Sequence, residues 1–133
     1  MYIKIEINNF TKLLDKFIQK KTRNLYGIKD KSSVPRKFTK NTKNQEVYIT
    51  SSENVLTVST EFNKISCPVV ESNWLGYIYF KFENLVALKK YPPYVKHDLL
   101  IEYSEEKFKI GSMIIKARYS ESAEFEASNT INF

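Results

Sequence analysis

Two stretches of the chain pass straight from one hydrophobic period into another. Residues 2–7 alternate, with Ile3, Ile5 and Ile7 on one side, and then Phe10, Leu13, Leu14, Phe17 and Ile18 recur at helical spacing. The first pattern is that of a half-buried strand, and the second places one apolar stripe of a helix against a core. Asn8 or Asn9 is the expected N-cap between them. Further on, Ile78, Phe80 and Phe82 alternate with Tyr79 and Lys81, after which Leu85, Val86 and Leu88 follow helical spacing as far as Pro92-Pro93. Proline lacks an N–H and restricts the residue before it, so this second helix is predicted to run for only about two turns.

The segments that follow the helices share a pattern. VYITSSENVLTVSTEFNKISC (47–67) lies over LLIEYSEEKFKIGSMIIKARY (99–119) at a constant offset of 52. Ile49 meets Ile101, Ser52-Glu53 meets Ser104-Glu105, Leu56 meets Phe108, Val58 meets Ile110 and Lys64 meets Lys116. Only four of the 21 positions are identical, so the shared order of strand, polar turn, strand, polar turn, strand carries the signal. The chain reads as an α+β protein, β-α-β-β-β twice, with half-repeats over about 1–67 and 77–119 that meet near 68–76. The two helices are expected on one face of antiparallel sheets.

Charge adds a location. The net charge is +6, but residues 10–43 hold eleven Lys and Arg against Asp15 and Asp30, a net of +9, while residues 44–133 hold nine against twelve acids, a net of −3. On the first helix, Lys12, Lys16 and Arg23 fall in one narrow sector with Gln19 and Lys20 beside them, and Asp15 is the one acid between residues 10 and 29. The rest of the excess lies in KDKSSVPRKFTKNTKNQ (29–45), a basic loop without a periodic apolar face. Tyr26, Phe38 and Tyr48 lie near this basic stretch and are of the type that stacks on bases. A basic helix face and loop read either as solvated surface or as a phosphate-binding stripe.

The order of elements resembles one domain of a DNA sliding clamp, the family of ring-shaped polymerase processivity factors. Four stretches carry the likeness: MYIKIEINNFTKLLDKFI, ITSSENVLTVST, GYIYFKFENLVALKKYPP and LLIEYSEEKFKIGSMIIKARY. The resemblance implies helices that present Lys and Arg to duplex DNA without reading its sequence, through Lys12, Lys16, Lys20 and Arg23 of the first helix and Lys89 and Lys90 of the second. It further implies a non-enzymatic replication or repair accessory, a partner protein, and a homo-oligomer. Clamp rings contain six such domains and this chain reads as one, so either six copies close a ring through their edge strands or the domain acts alone. Lys116 and Arg118 on the closing strand, read over 113–119, are charges of the kind that protect an exposed edge. The alternative is a protein-interaction module, such as an adaptor, inhibitor or antitoxin-like cap, with this fold as scaffold and no DNA binding.

Composition limits the other classes. At 133 residues and 42% hydrophobic content the chain suits one domain with a sizeable core. No apolar run is long enough for a bilayer, the charged start MYIKIE is not a signal peptide, and the lone Cys67 forms no internal disulfide. The default compartment is a reducing cytoplasm. His97 and Cys67 are single, which excludes a Cys/His zinc site within one chain, and there is no phosphate-cradling glycine loop. Glu105-Glu106 and Ser51-Ser52 read as turn residues rather than catalytic groups. Neither catalysis nor a cofactor is expected. The acidic segment 120–133 is expected to fray. Its alternative is that Phe125, Ile131 and Phe133 anchor it in a hydrophobic groove while its glutamates compete with DNA for the basic helix.

Overall fold

A strand runs directly into a helix at two places. The computed structural model describes residues 1–19 and 45–131. Strand β1 (Tyr2–Glu6) passes without a linker into α1 (Ile7–Gln19), and β6 (Tyr77–Lys81) passes likewise into α2 (Phe82–Lys90). Between them lie β2 (Glu46–Ser52), β3 (Val55–Ser59), β4 (Asn63–Pro68) and the short β5 (Glu71–Ser72). After α2 come β7 (Asp98–Ser104), β8 (Lys107–Ile110), β9 (Met113–Lys116), β10 (Arg118–Ser120) and β11 (Asn129–Ile131). The fold class is α+β, with two helices and two sheets among the described residues.

Both helices start on a backbone partner, and no side chain caps the start of α2. The expected cap at Asn8 or Asn9 is replaced by a carbonyl from elsewhere in the chain: the Ile7 N–H donates to the His97 carbonyl, and the Phe82 N–H donates to the Gln45 carbonyl, both at 2.8 Å. Each acceptor stands just before the strand that pairs with the helix's own strand, so sheet pairing supplies a partner for the first free amide. At the other end of α2 the Tyr91 N–H closes on the Ala87 carbonyl before the two prolines.

The two sheets exchange strands between the halves of the chain. One sheet has the order β5-β1-β7-β8-β9 and the other β10-β6-β2-β3-β4-β11. Thus β1 completes the strands that follow α2, and β6 completes the strands that follow α1. The registers correspond: Ile3 faces Ile101 where Ile78 faces Ile49, and Ile5 faces Leu99 where Phe80 faces Val47. All pairings are antiparallel except that of β11 with β4.

Both hairpin turns use two residues with positive φ, Glu53 (50°) and Asn54 (62°) in one, Glu105 (50°) and Glu106 (65°) in the other. This is the two-residue turn whose twist suits a hairpin, though it favours Asn and Gly over Glu. Glu106→Gly is therefore expected to raise stability by about 0.5–1 kcal/mol, the relief of left-handed strain less the extra chain entropy of glycine, read as a higher denaturant midpoint. The offset of 52 does not persist into the third strands. Residues 60–63 form a four-residue connection, with Thr60 Oγ1 accepting the Phe62 and Asn63 amides at 3.1 Å each, whereas Gly111 and Ser112 alone join β8 to β9. By pairing, Ile65 corresponds to Met113 and Cys67 to Ile115, so Lys64 and Lys116 are not equivalent.

Alternate residues of both sheets point into one core. Ile3, Ile5, Leu99, Ile101, Phe108 and Ile110 enter it from one side, and Val47, Ile49, Leu56, Val58, Ile78 and Phe80 from the other. Phe80 meets Phe108 at 5.2 Å between ring centroids, joining the two sheets. The helices close the same core with Phe10, Leu13, Leu14 and Phe17 of α1 and Phe82, Leu85 and Leu88 of α2.

The closing stretch 113–119 is not one strand. It breaks at Ala117, with β9 on one sheet and β10 on the other. Arg118 does not guard an edge as a free charge. It lies 4.5 Å from the centre of the Tyr79 ring and hydrogen-bonds both Glu46 and Glu124. Nor does segment 120–131 fray. Phe125 packs on Tyr48 and Tyr79 at 5.3 and 5.8 Å, the Glu124 N–H donates to Tyr79 Oη at 2.7 Å, and β11 pairs along β4. The segment straps the outer face of the larger sheet from one edge to the other. Five strand spacings of about 4.8 Å make roughly 24 Å, and the nine steps from Ser120 to Asn129 reach at most about 30 Å, so there is little slack.

Candidate nucleic-acid interface

The apolar stripe of α1 is buried, which leaves Thr11, Lys12, Asp15 and Lys16 exposed on the opposite face. On α2 the buried residues are Phe82, Leu85 and Leu88, and Lys89 and Lys90 are exposed in its last turn. The helices are neighbours: Phe17 and Phe82 stand 6.3 Å apart between ring centroids, and Lys89 Nζ lies 3.6 Å from Asp15 Oδ1. Four of the six lysines and arginines expected at the interface, Lys12, Lys16, Lys89 and Lys90, are thus carried by adjoining helices. Lys20, Arg23 and the loop of residues 29–44 lie outside the described residues.

The electrostatics of this surface are mixed. Asp15 sits within the row of lysines and engages Lys89, both side chains being more than a third exposed, so the pair is weak and screened. Lys90 Nζ stands 5.5 Å from the centre of the Tyr91 ring. What this arrangement offers chemically is a set of ammonium groups on two contacting helices, suited to point-charge contact with phosphates and not to bidentate base reading. The pairing of Asp15 with Lys89 was not readable from spacing, because it joins two helices about 70 residues apart in sequence.

Of the aromatic residues near the basic stretch, Tyr26 and Phe38 lie outside the described residues, and Tyr48 does not join this surface. Tyr48 is 3% exposed, lies beneath Phe125, and contacts Tyr77 and Tyr79. Burial raises the pKa of both Tyr48 and Tyr79 above the ordinary tyrosine value. Nor do the glutamates of the strap compete for the basic helix: Glu124 bonds Arg118, whose guanidinium holds the carboxyl below the usual carboxylate range. The charge-assisted bonds to Glu124 and Glu46 in turn raise the Arg118 pKa.

The nucleophile candidates are separated by environment. Cys67 is buried in β4, where desolvation pushes its thiol up to about 12, so it is not a thiolate at neutral pH. His97 is exposed ahead of β7, in the other sheet. Glu105 and Glu106 are exposed turn residues, and Ser51 is buried with its Oγ 3.0 Å from Ser72 Oγ. No helix among the described residues is long and apolar enough to cross a membrane. No family model, no curated protein and no solved structure matches this chain.

Proposed function

We propose that this chain is a non-enzymatic, clamp-like protein that associates with the backbone of duplex DNA through the exposed faces of α1 and α2. The observation that carries this reading is the placement of Lys12 and Lys16 beside Lys89 and Lys90 on two contacting helices. The exchange of β1 and β6 between two halves of matching register supports the likeness to a clamp domain. In this role the chain serves replication or repair as an accessory in processivity.

Equilibrium binding to random-sequence duplex over a range of salt tests the reading. Four to six phosphates neutralised by Lys12, Lys16, Lys20, Arg23, Lys89 and Lys90 give a log K against log salt slope of roughly −4 to −5. Changing Lys12, Lys16 and Arg23 together to Glu should abolish binding, and the double change of the exposed Lys12 and Lys16 alone should leave the melting temperature nearly unchanged. Asp15→Asn should instead tighten binding by about twofold, since it removes the acid set among the lysines.

One observation favours a second reading, a protein-interaction module. The outer face of the larger sheet already holds an extended acidic and aromatic segment, Glu124-Phe125-Glu126, as a peptide-binding scaffold would. Absence of any affinity for random duplex at moderate salt, with a monomeric protein, overturns the DNA reading in favour of this one.

A further inference from the structure

We infer that two copies of this chain associate edge to edge through β9 about a two-fold axis, with Ile114 of one copy opposite Ile114 of the other. The sheet edges differ in what they offer. β5 is two residues long, and β10 and β11 three each, whereas β9 has four. At the middle of β9, Ile114 is 62% exposed, an aliphatic side chain where edge strands ordinarily place a charge. Arg118, next to this edge in sequence, is engaged by Glu46 and Glu124, which leaves Lys116 as the charge on β9.

Register and charge favour the strand itself as partner. Residues opposite each other in an antiparallel pair share a face of the sheet, so a two-fold must set a residue against itself or against one of the same parity. Centred on Ile114, it sets Met113 against Ile115 and Ser112 against Lys116. The exposed isoleucines then cover each other, and neither lysine opposes a lysine. A head-to-tail array would need a second, different edge to receive β9. The counterpart of β9 in the larger sheet is β4, and its outer edge is occupied by β11 of the same chain. The remaining open edges, β5, β10 and β11, offer only two or three residues each, so the self-complementary contact of β9 is the longest ladder available, and it closes at two copies. One short strand pair buries much less than the roughly 1,200 Å² of a stable complex, so the dimer is weak and concentration-dependent.

Sedimentation equilibrium without DNA, from about 1 μM to about 1 mM protein, reads the inference independently of the helix face. The mean mass should rise from the monomer value towards twice that value, and Ile114→Lys should hold it at the monomer value with an unchanged melting temperature. Under a mild added oxidant, Ile114→Cys should give a covalent dimer, because directly opposed residues lie about 4.5–5.5 Å apart between Cα atoms, within disulfide reach. Ser112→Cys should not, since its two copies would stand about 14 Å apart. The buried Cys67 does not interfere. A wild-type protein that stays monomeric up to the highest concentration, masses growing beyond two copies, or equal cross-linking of the two cysteine variants would each overturn the inference.

Discussion

Phe108→Ala is expected to cost about 3–5 kcal/mol of folding stability, the range for deleting a large aromatic from a close-packed interior. Phe108 is fully buried, and its ring meets Trp74 at 6.3 Å and Phe80 at 5.2 Å. Trp74 follows β5, and Phe80 belongs to β6 in the opposite sheet, so the ring fills the space between layers that rigid strands cannot close. Two sheets whose registers are fixed by their own ladders have no cheap way to collapse into the void, which puts the loss at the upper end. Since small domains have only about 5–15 kcal/mol in total, the variant should unfold at a much lower denaturant concentration with a similar m-value. A change below about 1 kcal/mol would mean that the layers are not packed through this ring.

Deletion of residues 121–131 should lower stability by about 2–4 kcal/mol and make the chain prone to aggregation. The deletion removes Phe125 from Tyr48 and Tyr79, the charge-assisted bonds between Glu124 and Arg118, and the β11 ladder along β4. Uncovering large side chains is worth about 1.5–3 kcal/mol each when complete, and here the coverage is partial. The freed β4 edge is then an unpaired template beside exposed tyrosine rings. Light scattering and thermal melts of the shortened chain check both parts. Phe125→Ala, which keeps β11, should show a smaller loss of about 1–2 kcal/mol without the aggregation. A shortened chain with an unaltered melt and no association would show that the strap contributes nothing to the fold.

Much of the local structure was legible because it depends on side-chain period. The alternation of Ile3 and Ile5 and the helical recurrence from Phe10 to Ile18 match β1 and α1, and both hairpins sit where the offset of 52 placed them. Period says which side of a strand is buried and nothing about which strand lies next to it. The exchange of β1 and β6 between the sheets was therefore hidden. The shorter turn at Gly111-Ser112 broke an alignment that had no gap to accommodate it. The strap was missed for a related reason. Tyr79 alternates with Phe80 and so read as solvent-facing, yet it is 1% exposed. Three tyrosines, Tyr48, Tyr77 and Tyr79, on the face that ought to be polar were the available sign that something covers it. On the helices, spacing identified Lys12, Lys16, Lys89 and Lys90, but only tertiary contact brought Asp15 against Lys89.

The exchange of strands also governs how the chain can come off the ribosome. Tyr2 of β1 finds its partner at Glu102, a separation of 100 residues, and synthesis at about 5–20 residues per second puts roughly 5–20 s between them. Throughout that interval the isoleucines of β1 lack their long partner β7, whereas α1 can already pack on β4 and β1 can meet the short β5. Contacts this distant in sequence are slow to close, so the nascent chain passes through a period in which β1, and not the first helix, is left without its main ladder.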